Sequence, residues 1–363
     1  MTDIASHAAD GHDHHDHPAW LAHHFDDAEQ QFDAGKFGMW LFLVTEVLFF
    51  SGMFCAYVMY RNRNPEVFEF CSTFLNEKLG AINTGVLLFS SLTMAWAVRA
   101  AQLKQTKTLI GMLGATLGCA AIFLGVKAVE YSHKWEIGLL PGKLYRSQLE
   151  SGAHGEHGYL QMLCVIPAII LVILAIYYVY SLVLGSKFHQ RVAGPLVVAA
   201  ACFFGGVGLG RVLESGESHD SHSSAHGHAP DSHASHGHDH TADANQPAEG
   251  HGTTGAGESL SLVSAKKKDL NDVFVSPQEE VVPNAKVNNQ GMAGLFFSIY
   301  YCMTGVHAVH IIGGMVVISW LIVKSAREEF HSQYFGPVDN VGLYWHLVDF
   351  IWIYLFPLLY LIT

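Results

Sequence analysis

The sequence predicts an all-α, polytopic membrane bundle with seven transmembrane helices. Three observations predict it. Half of the 363 residues are hydrophobic and only 14% are charged, against about a quarter charged in an ordinary soluble domain. The apolar residues gather into seven helix-length stretches, about 37–60, 80–101, 109–131, 160–185, 192–213, 293–323 and 341–362. None shows the in–out alternation of a barrel strand. Helices then remain as the way to satisfy the backbone in hydrocarbon.

In chain order, residues 1–36 form a polar His/Asp-rich tail holding eight Asp or Glu and one Lys, a local charge of −7 out of the total of −12. The tail reads as disordered or as a short surface segment. It is neither basic nor apolar, so it predicts no cleavable leader, and the first helix itself starts insertion. Nothing in the charge pattern suggests nucleic-acid binding. Residues 37–140 carry the first three helices. The loop 61–79 holds Arg61, Arg63 and Pro65, and a basic turn near Arg99, Lys104 and Lys107 joins the second helix to the third. Residues 141–213 carry helices four and five, reached by a Gly-rich loop, 132–158, and joined tightly around Lys187 and Arg191. Residues 214–290 are low in complexity at first, with nine histidines from His219 to His251, then hold Lys266, Lys267 and Lys268 and a short extended piece from Asp272 to Val282. Residues 291–363 carry the last two helices.

Short loops set the orientation. With the N-terminus inside, the inside loops 102–108, 186–191 and 324–340 and their helix ends hold Arg99, Lys104, Lys107, Lys187, Arg191, Lys324 and Arg327. The His-rich loop and the C-terminus then lie outside. Five of the six cysteines fall within spans and there is no CxxC, so they read as packing residues.

Glu46 stands in an otherwise uncharged run, Phe37 to Tyr60. A carboxylate at the centre of a spanning helix costs about 2.5–3.5 kcal/mol on insertion scales. Such a group is kept mainly where it faces protein, water or a proton path. In the sixth stretch, TGVHAVHIIGG places His307 and His310 three apart, on one helix face. The pair suggests haem, copper, a proton path or polar anchoring. In the seventh, YWHLVDFIWIYLF puts His346 and Asp349 three apart, a spacing that allows a direct hydrogen bond, with Trp345, Trp352 and Tyr344 as interfacial anchors. Lys127 and Glu130 close the third helix at i,i+3 and, taken alone, read as a snorkelling ion pair. No phosphate loop, HExxH or nucleophile elbow is present.

These pieces, in this order, resemble subunit III of the haem–copper oxidases, most closely cytochrome c oxidase subunit III. TEVLFFSG is similar to the family's S/T-E-V-x-F-F-x-G, and INTGVLLFSS to its L-N-T-x-x-L-L-x-S. VKAVEY resembles Q-x-x-E-Y, with Lys127 in place of the glutamine. TGVHAVHIIGG and YWHLVDFIWIYLF resemble T-G-x-H-x-x-H-V-x-x-G and Y-W-H-F-V-D-x-V-W. The resemblance covers about 37–140 and 291–363, while 141–290 have no counterpart. It implies a five-helix core with two inserted helices, an even number that keeps the last two helices in the same orientation.

The resemblance further implies a chain without catalytic residues or redox centre, a subunit of a proton-pumping oxidase in a bacterial plasma membrane. That complex oxidises cytochrome c and reduces O2 to water. Haem and copper would sit in the partner subunits and phospholipid would be bound. Implied partners are oxidase subunits I and II, a small subunit IV, membrane lipids, cytochrome c as substrate of the complex, and a further respiratory complex. Glu46 falls on the family's buried carboxylate near the proton-uptake side. Glu130, Lys127, His307, His310, His346, Asp349 and Trp345 are expected at lipid or subunit contacts. Two other readings stand beside this one. Subunit III of a quinol oxidase shares the same core. A metal-handling membrane protein would use the His-rich loop, where His226, His228, His236, His238 and His240 offer imidazole ligands without the fixed spacing of a structural zinc site.

Overall fold

The computed structural model describes residue 25 and residues 27–144, 158–223 and 283–362. Among these, eight α-helices form: α1 (Ala28–Arg63), α2 (Pro65–Ser72), α3 (Glu77–Gln102), α4 (Thr106–Glu136), α5 (Tyr159–Val183), α6 (Lys187–Ser223), α7 (Pro283–Ala326) and α8 (Gly336–Tyr360). All but the short α2 are long and apolar enough to cross a membrane, which gives the seven spans the sequence predicts. The chain divides into two compact units. The first takes Met1–Glu214 and Asn284–Thr363 and holds everything described below. The second is Ser215–Pro283. Of it, only the end of α6 and Pro283 are described.

Local chemistry sets the helix ends and corrects several expected boundaries. The first helix begins at Ala28, inside the stretch expected to be a tail, because Asp27 accepts a hydrogen bond from the Gln30 amide at 2.7 Å and caps it. The loop 61–79 contains α2, which starts on Pro65, a residue suited to a first helical turn. Asn76 then caps α3 through the Leu79 amide. At the other end of α3 the chain turns through Lys104 at φ 55°, with the Gln105 amide bonded to the Ala100 carbonyl and the Lys104 amide to Ala101. This is a Schellman stop. Gly138 at φ 78° ends α4 in the same way, without the side-chain strain that Lys104 carries. The expected extended piece, Asp272 to Val282, lies outside the described residues, as do the N-terminal residues 1–24.

α4 is the centre of the bundle. Two-thirds of its most apolar window is buried, whereas none of α5's is. α3 packs along α4 and α8, and α1 packs on α8. A buried hydroxyl pair, Thr93 and Thr116 at 2.8 Å, joins α3 to α4. The inserted helix α6 is built into this packing. A side chain added at Gly125 would run into the backbone of Phe203 and Val207, and one added at Gly206 into the backbone of Ile122. The two helices therefore touch backbone to backbone, as small residues permit between membrane helices. Pro195 against Gly114 and Val129 against Gly210 extend the seam in both directions.

Candidate functional site

Glu130 on α4 is nearly saturated with donors. Its carboxylate receives Lys127 Nζ at 2.7 Å, Lys134 Nζ at 2.7 Å, Tyr300 OH at 2.9 Å and Tyr360 OH at 2.6 Å. Lys127 also donates to Tyr360 and stands 4.5 Å over the Trp352 ring, while Lys134 stands 5.0 Å over Tyr300. All these groups are buried. The expected snorkelling pair is thus an interior cluster. Lys134 sits one turn beyond Glu130 and completes a Lys–Glu–Lys column that α4 carries by itself. Tyr300 and Tyr360 draw α7 and α8 onto it. The sequence reading missed Lys134, Tyr300 and Tyr360. The i,i+4 spacing of Glu130 and Lys134 was a visible signal, but the tyrosines had none.

The second polar seam joins α3 to α8. His346 and Asp349 do not bond directly as their spacing suggested; Ser91 stands between them. Its hydroxyl donates to Asp349 Oδ2 at 2.6 Å and lies 3.0 Å from His346 Nδ1. Trp345 Nε1 donates to Ser90 Oγ at 2.7 Å, and Trp352 Nε1 to Thr84 Oγ1 at 3.1 Å. Both tryptophans are fully buried, which corrects their reading as interfacial anchors. Tyr344 is half-buried and donates to the His310 carbonyl at 2.8 Å. Burial also leaves Lys127, Glu130, His307, Asp349 and Trp345 almost no surface for direct contact with lipid or another subunit. What they touch lies inside the chain.

His307 and His310 go separate ways. His307 is wholly buried, stacked on Trp352 with centroids 5.4 Å apart and edge-on to Phe123. His310 turns to α1, where its Nε2 lies 2.9 Å from Glu46 Oε2, against the ring of Phe50. Both side chains of this pair keep a little exposure, 18% for Glu46 and 19% for His310. The other nitrogen of His310, Nδ1, lies 2.8 Å from the Val306 carbonyl. A carbonyl only accepts, so Nδ1 carries a hydrogen. Nε2 and the carboxylate oxygen then face each other with one proton between them. The pair is either a neutral imidazole with a carboxylic acid or an imidazolium with a carboxylate. In both forms it holds one proton between the two side chains, at the edge of the bundle.

Among the described residues, no group of three or more His, Cys, Asp or Glu could hold a metal ion. His226, His228, His236, His238 and His240 lie outside the described residues.

The family model described as cytochrome c oxidase subunit III matches residues 273–363. Among curated proteins, the chain is similar to cytochrome c oxidase subunit 3 of Thermostichus vulcanus, 40% identical over 70 residues, which are 19% of this chain and 35% of that protein. The probable cytochrome c oxidase subunit 3 of Mycobacterium tuberculosis (strain ATCC 25618 / H37Rv) is 35% identical over 65 residues, 18% of this chain and 32% of that protein. The heme-copper oxidase subunit I+III of Aeropyrum pernix is 38% identical over 71 residues, 19% of this chain and 9% of that protein. The chain thus spans about a third or less of the length of these relatives. No solved structure matches it. The matched region contains His307, His310, Trp345, His346 and Asp349, and the polar partners of four of them lie on α1 and α3. Through residues 273–363, about a quarter of its length, the chain is similar to the cytochrome c oxidase subunit III family.

Proposed function

We propose that this chain is the non-catalytic third subunit of a proton-pumping haem–copper terminal oxidase in a bacterial plasma membrane. Its complex would oxidise cytochrome c and reduce O2 to water, with haem and copper in subunits I and II and with phospholipid bound. The observation that carries this reading is the fit between the family-matched segment and the rest of the bundle. His310, Trp345, His346 and Asp349 in that segment reach Glu46, Ser90 and Ser91 outside it, and Tyr300 and Tyr360 reach Glu130. Helices α1, α3, α4, α7 and α8 therefore behave as one subunit III core.

In this reading the Glu46–His310 pair supports proton uptake by subunit I. The pair holds a proton, and α1 around it presents Trp40, Leu41, Val44 and Leu48, each more than half exposed, as an apolar face for a membrane partner. The N-terminus lies on the cytoplasmic side and the His-rich loop outside. Helix α5, with Ile166, Ile173 and Ile176 more than half exposed, would be the face that meets a further respiratory complex.

Mild-detergent purification of the complex, read by reduced-minus-oxidised visible spectroscopy, tests the reading. Haem a bands, with c-type bands beside them and a copper centre in the second subunit, are expected. A stable, intact preparation without haem overturns it. Glu46→Gln should leave the complex assembled but slow its proton uptake. A complex that falls apart instead makes Glu46 an assembly residue.

A further inference from the structure

His346, Ser91 and Asp349 form a directed chain across the α3–α8 seam. A serine hydroxyl has one hydrogen and two lone pairs. Ser91 gives its hydrogen to Asp349 Oδ2 at 2.6 Å, so toward His346 Nδ1, at 3.0 Å, it can only accept. Nδ1 then carries a hydrogen, and two hydrogen bonds run in series from the imidazole through the hydroxyl to the carboxylate. The reverse order is equally complete. A protonated Asp349 donates to Ser91 Oγ, which donates to a bare Nδ1. When His346 also carries a hydrogen on Nε2, passing from the first order to the second moves one proton from Nδ1 to Oγ while another leaves Oγ for Oδ2. An imidazolium and a carboxylate thereby become a neutral imidazole and a carboxylic acid, with the number of protons unchanged.

The two ends of the chain differ. His346 and Ser91 keep part of their surface. His346 Nε2 has no hydrogen-bond partner among the described residues and is not fully buried. His346 also stands only about 10 Å along α8 from Asp339, whose ion pair with Lys36 marks that end of the bundle. Asp349 lies one turn further in and is 2% exposed. Its Oδ1 is buried without a partner, and no Lys or Arg among the described residues pairs with it. Such a carboxyl is costly to keep charged. Trp352, one turn beyond Asp349, stacks on His307 and donates to Thr84, the neighbour of Asn83. His307 and Asn83 are wholly buried, and neither ring nitrogen of the one nor amide atom of the other has a partner among the described residues. Polar groups with unused donors and acceptors thus continue inward from Asp349. A seam that served packing alone has no use for them.

We propose that His346, Ser91 and Asp349 are a proton relay: His346 takes up a proton at Nε2, and Ser91 passes one from Nδ1 to Asp349, which holds it inside the bundle. Intramembrane histidines and carboxyls in series are the usual material of such relays. The surrounding titratable groups leave the triad to itself. α3 brings none between Leu79 and Val98. On α4, Cys119 is within electrostatic reach of Asp349, while Lys127 is taken by Glu130 and Tyr360. On α7, His307 lies against Trp352, and His310 is taken by Glu46 of α1. The relay is therefore separate from the Glu46–His310 pair. It rests on the packing of α3 against α8 and stands whether or not the oxidase reading does.

The test is time-resolved infrared spectroscopy of the detergent-purified protein with its natural partners, mixed rapidly from H2O into D2O at mildly acidic pH. The carbonyl stretch of protonated Asp349, assigned by its loss in Asp349→Asn, should shift as deuterium arrives. Ser91→Ala should slow that shift about tenfold, the rate equivalent of one lost hydrogen bond. Ser91→Thr, which keeps a hydroxyl, should restore it. His346→Gln, which removes the entry nitrogen, should slow it at least as much as Ser91→Ala. A merely structural role for the seam predicts the opposite sign, because a loosened fold admits deuterium faster. If His346→Gln does not accumulate, the Ser91 variants decide alone. Exchange in Ser91→Ala as fast as in the parent, or faster, would overturn the proposal. So would spectra in which Asp349→Asn removes no carboxyl band.

Discussion

Glu130 and Glu46 are both carboxylates in membrane-spanning helices, yet the structure treats them oppositely. Glu130 has four donors, is buried, and ties α4 to α7 and α8. Among the described residues, Glu46 has a single hydrogen-bond partner, His310, and it keeps part of its surface open. A buried charge is tolerated when every lone pair is satisfied, and it then behaves as a piece of structure. A carboxyl with spare lone pairs and an edge toward the surroundings is not locked into the fold in that way. The difference teaches that an intramembrane carboxylate marks a function only after its partners have been counted.

The comparison breaks most readily at Glu130. Glu130→Ala leaves Lys127 and Lys134 buried without an anion and should cost about 3–5 kcal/mol, seen as failure to accumulate or a large drop in thermal stability in detergent. Replacing the whole column, Lys127→Met and Lys134→Met with Glu130→Leu, should restore most of that loss, which single replacements cannot. Gly206→Val drives a side chain into the α4 backbone at Ile122 and should destabilise by about 1–3 kcal/mol, with α6 released from α4 as read by cross-linking. Ser91→Ala removes the bridge between His346 and Asp349 and should cost about 1 kcal/mol in the same melting assay. Glu46→Gln belongs at the small end for stability, within about 0.5 kcal/mol. If it destabilises as much as Glu130→Ala, the contrast between the two carboxylates fails.

Cys71 offers a reporter for all of these. It lies on α2, outside the spans, and burial pushes its thiol up to about 12. With the thiol kept protonated until pH approaches that value, alkylation near the pKa of a free thiol, about 8.5, should spare Cys71 in the intact fold. Glu130→Ala should expose it at that pH and Glu46→Gln should not. Peptide mass spectrometry of the alkylated protein reads both.

The spans were legible because hydrocarbon demands length and apolarity, and both are written locally. Glu46 was legible for the same reason, as the sole charge in its run. Partners across helices were not. These helices are apolar on most sides, so no polar stripe announces which face meets which neighbour, and His346 and Asp349 looked paired at i,i+3 when Ser91 of α3 in fact joins them. The tryptophans of α8 misled in a similar way. An aromatic near a helix end fits the membrane interface or the core equally well, and only the hydroxyls of Ser90 and Thr84 decide for the core. The early start of α1 was legible in retrospect, since Asp27 and the residues after it form an ordinary capped first turn.

The Lys127–Glu130–Lys134 column has a consequence for how the chain is made. Lysine adds up to about 2.5–3.5 kcal/mol to the insertion of a helix at its centre, and less toward the end, where this column lies. The tyrosines that complete the cluster are synthesised 170 and 230 residues after Glu130. Because both lysines lie within one turn of Glu130 on the same helix, α4 enters the bilayer with its ion pairs already formed. The helix thus carries its own counter-charge through the translocon, and the later arrival of α7 and α8 serves to lock a pairing made long before.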